Sequence, residues 1–165
     1  SIMRKAGQPL LFVAIFCWAG IVGGVLYSHT ATLPSLLLHL PGSSVLENGP
    51  YPLKDEAFWK MIHPFTILFS VLALAANWKN TERRKYMVYA IGIYVVALIA
   101  TFTYFIPEIK AFISSNQNTS VPASEWLSRG QRWLQLSWIR GSFMFLGFML
   151  MLLALTKTNL SKQSK

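Results

Sequence analysis

Residues 6–46 contain no Asp, Glu, Lys or Arg. The most apolar part, residues 10–27, is close to the 20 or so residues that a helix needs to cross a bilayer core of about 30 Å. Helix can continue to residue 33, where Pro34 removes a donor and crowds the carbonyl of Thr30. A kink or an end is predicted there. Residues 35–40 are too few to cross again and are expected to lie at the interface or fold back. Further uncharged runs cover residues 61–78 and 86–107, and a fourth covers 133–156, interrupted only by Arg140. A signal peptide would leave one such run near the start, and a transmembrane barrel would show alternating ten-residue strands. The pattern therefore predicts an all-α integral membrane protein, a single domain of four helices in up-down order with spans at about 10–33, 61–78, 86–107 and 133–156.

The composition agrees with this reading. The 165 residues are 53% apolar and 13% charged, about half the charge of an ordinary soluble domain. One cysteine, Cys17, excludes an internal disulfide framework, and three scattered histidines give no zinc-finger spacing. The net charge of +9 is unevenly placed. Arg4, Lys5, Lys79, Arg83, Arg84, Lys85, Lys157, Lys162 and Lys165 fall on one side with a single acid, Glu82, for a net +8. Lys54, Lys60, Lys110, Arg129, Arg132 and Arg140 fall on the other side with five acids, for a net +1. Basic residues near spans stay inside, so both termini are expected in the cytoplasm and the loops at about 41–60 and 108–132 outside. The bacterial inner (plasma) membrane is the expected location. This charge follows the spans, and no nucleic-acid partner is expected.

Laid side by side, the four spans carry polar residues at the same outer end. Span 1 brings His29, span 2 begins at His63-Pro64, and span 3 leaves through Thr101, Tyr104 and Glu108, spaced to share one helical face. Span 4 returns through Trp133, Ser137 and Arg140. Arg140 lies seven residues inside Trp133, or about 10 Å along a helix. A mid-membrane arginine costs about 2.5–3.5 kcal/mol on insertion scales and points to a partner or an anionic ligand. Glu108 is the expected partner. Arg140 could equally snorkel, or pair with Glu108 for structure alone. His63 could cap a helix start, and His29 could do the same. Together the two could ligate a haem, the less favoured option, because both rings would have to face inward at one depth. His39 is expected in solvent and Cys17 in inert packing. Gly20 and Gly24 form a small-xxx-small pair that predicts close helix contact, with homo-oligomerisation the weaker option. Trp59, Trp78, Trp133, Trp138, Tyr51 and Tyr86 are placed as an interfacial belt.

Several of these residues carry a family likeness. The stretch Ala19-Gly20-Ile21-Val22-Gly23-Gly24, the later Pro34, the exit Phe105-Ile106-Pro107 and the entry Trp133-x4-Trp138-x-Arg140-Gly141 resemble the anthrone-oxygenase-like family of small four-span membrane proteins. The resemblance runs over about residues 10–155 and implies oxygenation of polyketide anthrones without a cofactor. It favours Pro107, Trp138 and Arg140 as family positions. Where the family often has an asparagine two residues after the span-3 proline, this chain has Ile109, preceded by Glu108.

Such chemistry needs a base to remove a proton beside a carbonyl, and Glu108 or His63 would serve. It also needs a donor for the oxyanion, for which Arg140 and Tyr104 suit. His29, Tyr104, Trp133 and Trp138 would line the substrate pocket. No cofactor and no metal are assigned. The expected partners are membrane lipid and a small aromatic or amphipathic ligand. The alternative is a non-catalytic module that binds a quinone, a lipid or a protein. A transporter or channel is disfavoured by the lack of repeats and broken mid-membrane helices.

Overall fold

The computed structural model describes residues 2–157. Lys162, Lys165 and most of the tail after residue 156 lie outside the described residues. Among the described residues there are helices and no strands. Four are long and apolar enough to cross a membrane: α1 (Gly7–Leu37), α2 (Asp55–Ala76), α3 (Thr81–Ile113) and α4 (Ala123–Leu155). Short helical turns at Gly42–Ser44, Val45–Asn48 and Ser115–Gln117 fill the connections.

The helices outrun the apolar runs that predict them. α4 has 33 residues, about 50 Å at 1.5 Å each, so its first turns stand beyond a 30 Å core. Those turns carry Glu125, Arg129 and Arg132, which hydropathy reads as loop although they remain helical. α1 does not end at Pro34. It passes through a π-helical turn at Ser28–Thr32 and continues to Leu37. α3 does the same at Thr101–Phe105, ahead of Pro107. In each turn the closing bond spans five residues, from Leu33 N–H to the Ser28 carbonyl and from Ile106 N–H to that of Thr101. A proline in a membrane helix frees a carbonyl, and a local π adjustment re-satisfies such groups.

α1 is the centre of the packing, in contact with α2 and α4, while α3 packs on α4. Asn77 Nδ2, just past α2, donates to the Gly7 carbonyl at 2.8 Å. Arg83, near the start of α3, donates to the carbonyls of Lys157 and Leu155 at 2.9 and 3.3 Å. The start of α1, the end of α2, the start of α3 and the end of α4 thus meet at one end of the bundle. At the other end Gly130 packs on Leu37, and Glu108 pairs with Arg129.

The buried side chains form two apolar clusters. One, around Trp18, Met87, Tyr94 and Met151, fills the end that holds Arg83. The second, around Leu37, Phe105, Phe112, Trp126 and Trp133, fills the opposite end. It absorbs residues 36, 37 and 40, which the sequence places at the interface. Large apolar side chains such as Phe16, Phe65, Val96, Phe102 and Phe143 point outward, as lipid-facing residues must. Trp133 is only 5% exposed. It belongs to the core and not to the interfacial belt.

Candidate functional site

Between the two apolar clusters lies a thin polar layer. α1 contributes Ser28 and His29, both buried, α3 contributes Thr101, and α4 contributes Ser137 and Arg140. Ser137 is fully buried. Arg140 Nη1 donates to Thr101 Oγ1 at 2.8 Å and Nη2 donates to Ser137 Oγ at 2.9 Å. Its guanidinium carbon sits 3.8 Å from the Phe105 ring centroid and 5.8 Å from that of Trp133. Trp133 is locked by a 3.0 Å bond from Nε1 to the Phe105 carbonyl. Trp138 packs against His29, with centroids 4.9 Å apart.

The direction of each hydrogen bond follows from its partners. His29 Nδ1 lies 2.7 Å from the Val25 carbonyl, which only accepts, so Nδ1 carries the proton. Nε2 of the neutral ring then accepts from the Ser137 hydroxyl at 2.7 Å. Thr101 donates its own proton to the Ala97 carbonyl at 2.7 Å and accepts from Arg140. A protonated His29 would aim a second donor at Ser137 and set a second cation beside Arg140. The neutral ring satisfies every group. Both nitrogens of His29 are thereby engaged within the protein. Among the described residues no group of three His, Cys, Asp or Glu gathers in one place.

His63 lies nearby, half-buried and within electrostatic reach of Arg140. Its Nδ1 is 2.5 Å from the hydroxyl of Tyr94, a side chain that is only 3% exposed. The two rings lie 23° from parallel, and Trp59 also stacks on His63. Among the described residues the Tyr94 hydroxyl meets no other acceptor, so the satisfied arrangement has Tyr94 donating to Nδ1. The neutral imidazole then holds its proton at Nε2 and presents a donor. The lone pair of His63 thus faces Tyr94, so any proton it takes in this arrangement comes from that phenol.

Glu108 is also displaced from its expected role. It pairs with Arg129, through Oε2 to Nε at 3.1 Å and through Oε1 to Nη2, and not with Arg140. The cause is the π turn at Thr101–Phe105. One extra residue in a turn rotates everything beyond it by about 100°, so Thr101 and Glu108 no longer share a face. Tyr104 goes with Glu108, and the two line a separate outer cleft of about 410 Å³ with Glu125, Ser128, Arg129 and Arg132. Arg129 in turn lies over the Trp126 ring at 4.6 Å.

Of the residues the sequence singles out, the structure therefore joins Arg140, His29, Trp133 and Trp138 in one layer, with His63 beside it. It sets Glu108 and Tyr104 apart. Among the described residues no carboxylate lies within ion-pair distance of Arg140. Tyr94 and Phe105 are additions. The available signal for Tyr94 was a tyrosine in the middle of a span, away from the interface where that residue usually sits. The opposite end is also more polar than its composition indicates, with Arg83 and Asn77 both buried and joined at 3.2 Å. No protein-family model matches the chain, nor does any curated protein or solved structure.

Proposed function

We propose that this is a four-helix protein of a bacterial inner membrane, up-down in order with both termini cytoplasmic, whose polar layer binds the anionic oxygen of a flat amphipathic molecule. The charge asymmetry of +8 against +1 supports the orientation. The observation that carries the binding role is Arg140. It is a half-buried cation within a membrane span whose partners are all neutral: two hydroxyls and two aromatic faces. Such contacts offset part of the cost of leaving water, and an incoming anion would supply the missing counter-charge. Trp138, 38% exposed and packed against His29, offers a flat apolar surface beside the layer.

Oxygenation of an anthrone, the activity the family resemblance implies, would begin with loss of a proton beside a carbonyl. The lone pair of His29 is taken by Ser137, that of His63 by Tyr94, and the carboxylate of Glu108 by Arg129. A layer of donors without a free base favours a ligand that arrives already ionised or enolic. Arg140 and the His63 Nε2–H would then hold its oxygen.

Quenching of tryptophan fluorescence in detergent micelles tests this, with 2-naphthoate as probe and uncharged 2-acetylnaphthalene as its control. Arg140→Met should abolish naphthoate binding, Arg140→Lys should keep part of it, and the ketone should respond equally to all three proteins. Unchanged naphthoate affinity in folded Arg140→Met would overturn the assignment.

A further inference from the structure

Four aromatic rings from three helices form a column beside the polar layer. Trp59 stacks on His63 with centroids 5.7 Å apart and planes 27° apart. His63 stacks on Tyr94 at 5.8 Å and 23°, and Tyr94 meets Trp18 at 5.3 Å. The column runs from a half-buried tryptophan to two side chains almost fully removed from solvent. Trp18 is fixed by a 3.0 Å bond from Nε1 to Ser70, and Tyr94 by its 2.5 Å bond to His63. Packing alone would not require a buried phenol aimed at an imidazole within a ladder of rings.

A phenol is readily oxidised only if its proton leaves with the electron, because a buried phenol radical cation is a bare charge in an apolar medium. His63 Nδ1 is placed to take that proton without any movement of heavy atoms. Trp59 also lines a cleft of about 400 Å³ with Gly20, Gly23 and Gly24. At Gly23 a Cβ would meet nothing within 4 Å, so the cleft beside Trp59 is open there.

We infer that Tyr94 and His63 form a proton-coupled one-electron donor that quenches lipid peroxyl radicals. One electron passes from Tyr94 along the ring column to the peroxyl radical, which becomes the peroxide anion. The Tyr94 O–H bond breaks as the Nδ1–H bond of His63 forms. His63 then releases its Nε2 proton to the peroxide anion. The products are one lipid hydroperoxide, one neutral Tyr94 radical and a neutral His63 in its other tautomer. A quinol- or thiol-class reductant returns Tyr94 to the phenol. The inference does not rest on the anion site at Arg140, and its test uses no anionic ligand.

The purified full chain in detergent is photo-oxidised with a ruthenium trisbipyridine sensitiser and persulfate, and radicals are read by electron paramagnetic resonance. The wild-type protein should give a long-lived tyrosyl signal that narrows with ring-deuterated tyrosine and forms more slowly in deuterium oxide. Tyr94→Phe should lose the signal, His63→Gln should lose the isotope effect, and Tyr89→Phe, on the exposed face, should change neither. In soybean phosphatidylcholine vesicles with an azo initiator, wild-type protein should slow oxygen uptake, and Tyr94→Phe should restore the protein-free rate. Persistence of the signal in folded Tyr94→Phe would overturn the inference. So would an absent isotope effect in the wild-type protein, which needs no variant, or an oxygen uptake indifferent to the protein.

Discussion

Gly130 offers a direct measure of how closely α1 and α4 approach. A Cβ added there would lie 2.5 Å from the carbonyl oxygen of Leu37 and 2.9 Å from a methyl of Leu40. The first contact is with main chain, so no side-chain rotation relieves it, and the end of α1 must move as a unit. Gly92 on α3 is the matched control, since a Cβ there meets nothing within 4 Å. Alanine gains about 1 kcal/mol over glycine in helix propensity at either site. That gain cancels in the comparison and leaves the clash. Overpacking of this kind typically costs about 1–3 kcal/mol, so Gly130→Ala should be less stable than Gly92→Ala by that amount. Unfolding by sodium dodecyl sulfate in mixed micelles, followed by tryptophan fluorescence and circular dichroism, gives both values under one condition. Equal midpoints would mean that the helices are not in contact at Gly130. Gly147, whose Cβ would fall 2.6 Å from the Trp18 ring, should behave like Gly130. Gly24 (2.5 Å from Phe58) should be more sensitive than Gly20, which meets only the tip of Ile62 at 3.2 Å.

On a Cys17→Ser background, a cysteine at exposed Ser120 should label from outside intact cells, and one at exposed Glu82 only after permeabilisation; the reverse pattern would invert the topology. Glu47 lies in the connection between α1 and α2, where burial, then the charges of Asp55 and Glu56, hold its carboxyl above the usual carboxylate range. The folded state therefore favours the protonated form, so this contribution is present in acid and lost as pH rises through the raised value. Glu47→Gln should flatten that slope and stabilise the protein at neutral pH, as thermal melts across pH would record. A double-mutant cycle of Glu108→Gln with Arg129→Met should show coupling of about 0.5–1 kcal/mol, whereas Glu108→Gln with Arg140→Met should add within about 0.5 kcal/mol. Strong coupling in the second cycle would restore the ion pair that the sequence predicts.

The number and type of elements are legible in the sequence because lipid imposes a coarse requirement: long uncharged runs. Helix length is less legible, because hydropathy reports the part of a helix in lipid and not the part beyond it. Residues 123–132 illustrate this, being helical yet rich in charge. The convergence of His29, Thr101, Ser137 and Arg140 also follows from counting along spans, since His29 and Thr101 stand at the start of their π turns and α4 is regular helix through Arg140. Tyr104 lies within the π turn of α3 and Glu108 beyond it, and counting by 3.6 carries them to the wrong face. Arg83 reads in sequence as one of several basic residues that set orientation. In the fold it is 9% exposed and bonds to the last carbonyl of α4, at Leu155, and to that of Lys157 just beyond, a role set by partners 72 and 74 positions away in the chain.

The two π turns share one arrangement, and it accounts for where the polar layer forms. Each begins six residues before a proline: Ser28 before Pro34 and Thr101 before Pro107. A proline withdraws one N–H from the ladder and pushes against the preceding turn, so the backbone must widen there if it is to stay helical in lipid. Hydroxyl or imidazole groups stand at the start of each widened turn and bond to carbonyls of the α-helical turn before it. Ser28 and His29 do so with Val25, and Thr101 with Ala97. Across the bundle His29 then meets Ser137 and Thr101 meets Arg140. Proline, widened turn and polar residue thus form one unit on each of two helices, and the cation on the third is held between them.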